Sequence, residues 1–67
     1  MSYYVEMIGV NSSFIVAVGY DGSNLYVEIS GRGTYTHPNV PYYHFAGLLN
    51  ANSHGGYYNR YIRGKYK

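Results

Sequence analysis

A chain of 67 residues carrying a net charge of +2 and no cysteine is one domain, residues 1–67, close to the lower size limit for burying a core, with no disulfide or thiolate metal site to support it. No stretch approaches the ~18 consecutive apolar residues of a membrane span, and no charged N-terminal region precedes an apolar run, so no membrane association is expected and the cytoplasm is the default location.

The first clear element is SFIVAVGY, residues 13–20, where Phe14, Val16, Val18 and Tyr20 alternate with Ile15, Ala17 and Gly19; this predicts a strand covered on both faces. DGSN (21–24) is a polar turn that Asp21 organises, and LYVEIS (25–30) returns with Leu25, Val27 and Ile29 on a buried face and Tyr26, Glu28 and Ser30 on a wet one. SGRG (30–33) supplies glycines for a second tight turn into TYTH (34–37), which places Tyr35 and His37 on one face and Thr34 and Thr36 on the other. The leading MSYYVEMIGV reads equally as an extra edge strand or an ordered arm. Pro38 and Pro41 end the sheet, and Pro41 suits the first turn of a helix. A helix is predicted over 41–51, with Tyr42, Phe45, Leu48 and Leu49 as its apolar stripe and Phe45, Leu48 and Leu49 packed on the sheet. The stretch 50–56, with two glycines, stops it. Residues 57–63 form a second, single-turn helix ended by Gly64, with Tyr58 and Ile62 on one side and Arg60 and Arg63 on another. The expected fold class is α+β: a small antiparallel β-meander of about three strands, one packed helix and a short C-terminal helical turn.

Charge is distributed unevenly. All three acids (Glu6, Asp21, Glu28) lie in residues 1–28 and all five basic residues (Arg32, Arg60, Arg63, Lys65, Lys67) in 29–67, while tyrosine outnumbers phenylalanine eleven to two. The asymmetry directs an anionic partner to the C-terminal half, and phenol rings suit half-wet surface. The closing stretch YYNRYIRGKYK (57–67) interleaves both features. Binding of nucleic acid without base specificity needs cations for phosphates and flat rings for bases. In that reading Arg60 and Arg63 hold phosphates from one side of the helical turn, Lys65 and Lys67 add longer-range attraction, and Tyr57, Tyr61 or Tyr66 offers a ring face. In the alternative, Tyr58 and Ile62 close the core and the cations keep the chain soluble. Tyr35 and His37, joined by Tyr26 if the register permits, form either an aromatic trio on an open sheet face, as in small RNA-binding sheets, or core rings beneath the helix.

Metal and catalytic readings have less behind them. The spacing of His37, His44 and His54 fits no compact metal site. Ser12 and Ser13 lack a visible base and acid, the three acids occur singly, and no cofactor is implied, so an enzyme is not expected.

Four segments occur together and in order: VNSSFIVAVGYD (10–21), GTYTHPNVP (33–41), LLNANSHGGYYN (48–59) and IRGKY (62–66). Together they resemble the KTSC domain, a module of about this length found at the C-terminus of some lysyl-tRNA synthetases and alone in bacterial and phage proteins. Where that family carries Tyr-x-Tyr, this chain has Tyr35-Thr36-His37. The resemblance brings no established activity; RNA binding is suggested from the synthetase context. The functional expectation is therefore a non-enzymatic binding module for single-stranded nucleic acid or a nucleotide, with Arg60, Arg63, Tyr57, Tyr61, Lys65, Tyr35, His37 and Tyr26 as candidate ligand residues. Its rival is a phage-type inhibitor in the host cytoplasm, acting either as an oligomeric sponge for a nucleotide signal or by docking on a host protein. Self-association is expected in both cases, because so tyrosine-rich a chain leaves ring surface that one small core does not hide.

Overall fold

The computed structural model describes residues 5–66. Four strands, β1 (Ile8–Gly9), β2 (Ile15–Tyr20), β3 (Leu25–Ile29) and β4 (Gly33–His37), pair antiparallel in the order β1-β2-β3-β4. Helix α1 (Tyr42–Asn50) follows, then a short helix α2 (His54–Tyr57) that continues as a π-helical turn over Tyr58–Ile62. The architecture is α+β, with the meander expected from the alternating pattern and an additional short N-terminal edge strand.

Register decides which side chains meet. Tyr20 pairs with Leu25 and Leu25 with His37; Val18 pairs with Val27 and Val27 with Tyr35. Directly opposed residues share a sheet face, so His37 and Tyr35 stand on the face that carries Leu25 and Val27. Tyr26 pairs with Thr36 and Gly19 and stands on the other. The open-face trio of Tyr26, Tyr35 and His37 therefore does not form. His37 is buried, as the reading of core rings beneath the helix anticipates.

Strand β2 does not keep the simple alternation predicted for it. The register shifts between Ile15 and Ala17, so two residues of β2 oppose one step of β3. Such a bulge changes which face successive residues occupy. Ile15, Ala17 and Val18 are all buried whereas Val16 is 43% exposed.

The core consists of Ile15, Val18, Leu25, Val27, Val40, Leu48, Tyr58 and Ile62, with Phe14, Tyr20, Phe45 and Leu49 packed around them. Leu48 is the fully buried anchor of α1, Phe45 and Leu49 are half-buried, and Tyr42 is exposed rather than part of a buried stripe. Pro41 sits at the cap position just before the helix, with ψ of 149°, because its fixed φ suits helix entry. The loop in front of α1 is tied down at Val40, whose carbonyl accepts a 2.6 Å hydrogen bond from the Tyr20 hydroxyl and whose N–H donates to Ser23.

Two features depart from the expected chain path. Gly55 and Gly56 open a helix instead of only ending one, with the Ser53 hydroxyl accepting from the Gly56 N–H at 3.0 Å as an N-cap. Gly55 is buried edge-on to Phe14, and a Cβ there would collide with that ring; the glycine permits the close approach. The second sheet face, expected to stay open unless another subunit meets it, is covered near Gly19 by the chain's own Val5, Glu6 and Met7. The missing side chain at Gly19 makes room for that segment. The rest of the leading arm, residues 1–4, lies outside the described residues.

Candidate functional site

The C-terminal helical segment has two working sides, separated by the buried pair Tyr58 and Ile62. One side meets the turn between β3 and β4, the other meets α1.

On the first side lies a cavity of about 340 Å³ lined by Phe14, Ile29, Ser30, Arg32, Tyr35, Tyr58 and Arg63. The tight turn places Arg32 there. Gly31 and Gly33 adopt φ of 76° and 93°, values that glycine reaches without strain, and the turn is closed by the Arg32 N–H donating to Ile29 at 3.0 Å. Ser30 donates its N–H to the Phe14 carbonyl at 2.8 Å, fixing the neighbouring wall. Arg63 arrives from the other end of the chain. Its N–H donates to the Tyr58 carbonyl at 2.9 Å, the five-residue closure of the π-helical turn, after which the backbone extends (φ −64°, ψ 128°) and Gly64 turns away at φ 78°.

That wide turn corrects the expectation that Arg60 and Arg63 share one helix side. The i,i+3 alignment belongs to a regular helix, and Arg63 has already left it. Arg63 instead converges with Arg32, while the Arg60 guanidinium lies over the Tyr61 ring, 5.7 Å from its centroid. Arg32, a residue outside the basic C-terminal stretch, completes the pair. Its signal was the cation enclosed between two glycines in SGRG. Among the described residues no carboxylate lines the cavity, and the Arg63 guanidinium donates to the neutral Asn59 Oδ1 at 3.5 Å. Tyr35 is 43% exposed on the cavity wall, where its ring has a face available.

Beneath the cavity, Tyr58 and His37 form its polar support. His37 Nε2 lies 2.9 Å from the Tyr58 hydroxyl and Nδ1 lies 2.9 Å from the Tyr66 carbonyl. A carbonyl only accepts, so Nδ1 carries the proton, and in the neutral ring Nε2 accepts from the phenol. Burial pushes the Tyr58 phenol above its ordinary value, with the Arg63 charge opposing the shift, which keeps the hydroxyl protonated as donor. Both ring nitrogens of the buried His37 are thus engaged within the domain. The His in place of the second family tyrosine serves the core.

On the other side an aromatic cluster spans α1 and the C-terminal segment. Tyr57 and Tyr61 have ring centroids 4.6 Å apart, His44 stands within 6.0 Å of Tyr57, Tyr61 and Tyr66, and His44 Nδ1 lies 3.0 Å from the Tyr57 hydroxyl. Burial raises the Tyr57 phenol above its usual value, with the neighbouring Tyr61 adding to the shift. Tyr57 is half-buried, whereas Arg60, Tyr61 and Lys65 are exposed. Tyr26 belongs to neither site. Its hydroxyl donates to Asp21 at 2.8 Å and so closes the first turn. Lys67 lies outside the described residues.

The histidines are separately engaged: His54 Nδ1 donates to the Leu48 carbonyl at the end of α1. Among the described residues no three His, Cys, Asp or Glu side chains come together as a metal site. Ser12 accepts weak backbone hydrogen bonds from Phe14 and Ile15, starting β2. Among the described residues no helix is long and apolar enough to cross a membrane.

An antiparallel meander crossed by a helix and closed by a C-terminal segment around a basic cavity defines a small α+β domain, and the comparisons place it. The KTSC domain model matches residues 11–66, so the chain belongs to the KTSC domain family. The crystal structure of a KTSC domain protein from Yersinia pestis is similar at 29% identity and a TM-score of 0.91, covering 96% of this chain and 93% of that one. No curated protein sequence matches the chain.

Proposed function

We propose that this protein is a non-enzymatic binding module for an anionic ligand, single-stranded nucleic acid or a nucleotide. The observation that carries the reading is the convergence of Arg32 and Arg63 on one cavity, with Tyr35 and Phe14 as ring walls and no acid among the lining residues. Guanidinium groups present a planar fork of donors that matches phosphate oxygens, and a tyrosine face accepts a base of any sequence. Arg60, Tyr61 and Lys65, exposed around the corner of the same segment, offer a continuation for a strand longer than the cavity.

The test is fluorescence anisotropy with labelled single-stranded oligonucleotides and mononucleotides, comparing wild type with Arg32→Ala/Arg63→Ala. Each charge-assisted contact contributes about 1.5–3 kcal/mol, so the double substitution weakens binding by well over tenfold. Unchanged binding by the variant, or none by wild type, ends the reading. The exposed rings of Tyr42, Tyr43 and Tyr61 then make docking on a protein the function to pursue, since tyrosine and arginine also dominate protein hot spots.

A further inference from the structure

The charge and size of the cavity narrow the ligand class. The inference rests on the anionic-ligand reading above and goes one step further. We propose that the Arg32–Arg63 cavity takes a nucleoside phosphate monoester, either a free mononucleotide or the phosphorylated end of a single strand, in preference to the interior of a strand.

Three observations converge on this. The first is charge. Two arginines line the cavity and, among the described residues, no carboxylate does, which brings two positive charges to one small volume. A phosphate monoester carries roughly −1.5 to −2 at pH 7 and three terminal oxygens. An internal phosphodiester carries a single charge. The monoester therefore matches the pair, whereas a diester leaves about one guanidinium charge uncompensated.

The second is size. A cavity of about 340 Å³ lies at the small end of the ~300–1,000 Å³ typical of ligand pockets. One phosphate with its sugar and base suits such a volume, and a run of stacked nucleotides requires a groove.

The third is the division of the walls. Ser30 and the two arginines supply hydrogen-bond donors, while Phe14, Ile29, Tyr35 and Tyr58 supply flat or apolar surface. One part of the lining suits a phosphate and the other a base or ribose face. The cations also reach the cavity from parts of the chain remote in sequence. Arg32 is carried by a closed turn and Arg63 by the exit of the π-helical turn. Their juxtaposition is a product of the fold and not of a local basic run.

The experiment uses the full 67-residue chain. Binding is measured for the four nucleoside 5′-monophosphates, the matching nucleosides, inorganic phosphate, and a short labelled oligothymidine with a phosphate at its 5′ end, at its 3′ end, or at neither. The expected result is that a terminal phosphate raises affinity at least tenfold over the hydroxyl-ended strand. Mononucleotides compete for the same site and nucleosides do not. Arg32→Ala and Arg63→Ala each abolish the terminal-phosphate increment, whereas Arg60→Ala retains it; all three residues are exposed, so folding is preserved. Strands with and without a terminal phosphate binding equally overturns this inference while the broader reading stands. Inorganic phosphate competing as well as the mononucleotides overturns its nucleoside part. No binding by any probe overturns both.

Discussion

His37 and Tyr58 are joined across the core, ring nitrogen to hydroxyl at 2.9 Å, and both side chains are nearly inaccessible to solvent. The contact links β4 to the C-terminal segment and so holds the two walls of the cavity together. Removing one partner strands the other. Tyr58→Phe leaves Nε2 buried without a donor, at an expected cost of about 1–3 kcal/mol. In a His37→Phe background the same change should cost distinctly less, because neither polar atom then remains. Urea unfolding of the four proteins in this cycle checks it, and equal costs in both backgrounds would show that the pair is not coupled.

Leu48 carries more of the helix–sheet packing than Leu49. It is fully buried, whereas Leu49 is half-buried. Leu48→Ala should cost about 2–5 kcal/mol, a large share of the stability of a domain this small. Leu49→Ala should cost less. Thermal or chemical denaturation orders the two, and a larger loss at Leu49 contradicts the packing described.

Much of this fold was legible in the sequence because its signals are local. Alternation in LYVEIS, the polar turn at DGSN, the glycines of SGRG and the i,i+3,i+4 pattern of Phe45, Leu48 and Leu49 each act over a few residues. The parts that were not legible depend on contacts distant in sequence. The bulge that exposes Val16 is set by how β2 meets β3. The use of Gly55 inside a helix is set by the Phe14 ring, 41 positions earlier. His37 looked available because Tyr35 and His37 share a strand face; only the arrival of Tyr58 and Tyr66 shows that face to be partly core and partly cavity. The site divides along the same line. Arg63 and Tyr35 could be proposed from residue type, but their partnership with Arg32 required the fold, as did the diversion of Arg60 onto Tyr61.

The Gly55–Phe14 contact gives a stability effect tied to the cavity wall. Gly55→Ala places a methyl group against the Phe14 ring, which also lines the cavity. Overpacking of this kind typically costs ~1–3 kcal/mol, and any outward movement of the ring reshapes the site. Stability and ligand affinity should fall together. Phe14→Leu combined with Gly55→Ala should recover stability more than affinity, because the smaller side chain yields space but removes a ring wall. A fully stable Gly55→Ala protein would contradict the close approach.

Asp21 makes stability depend on acid in one direction. Its carboxylate accepts from the Asn24 N–H at 2.7 Å and the Ser23 N–H at 3.0 Å, with Tyr26 and the Asn24 amide adding further hydrogen bonds. These bonds, the backbone ones first, hold its pKa below the usual carboxylate range. A carboxyl depressed in the folded state adds stability above its unfolded value of ~3.9 and loses it as pH falls through the folded value. Asp21→Asn keeps the local turn geometry but lacks the charge. It should therefore be less stable than wild type at pH 7, with the difference shrinking below about pH 4. Denaturant midpoints at pH 7 and pH 3 read this directly, and a gap that widens in acid would reverse the assignment.

Tyr61 and Arg60 separate a strand from a single nucleotide. They sit beside Tyr57 and His44, on the side of the C-terminal segment away from the Arg32–Arg63 cavity. A ligand confined to the cavity does not reach them, whereas a longer strand leaving it can lay a base on the exposed Tyr61 ring. Tyr61→Ala should then lose about 1–3 kcal/mol of oligonucleotide binding while leaving mononucleotide binding unchanged. Salt offers an independent measure. Log affinity for a strand engaging about four phosphates should fall with log salt at a slope near −3, and Arg60→Ala should reduce that slope by a little less than one. For a mononucleotide the slope should be shallower and indifferent to Arg60. If Tyr61→Ala and Arg60→Ala leave both ligand classes untouched, a bound strand does not extend onto this side, and the aromatic cluster serves only to pack α1 against the C-terminal segment.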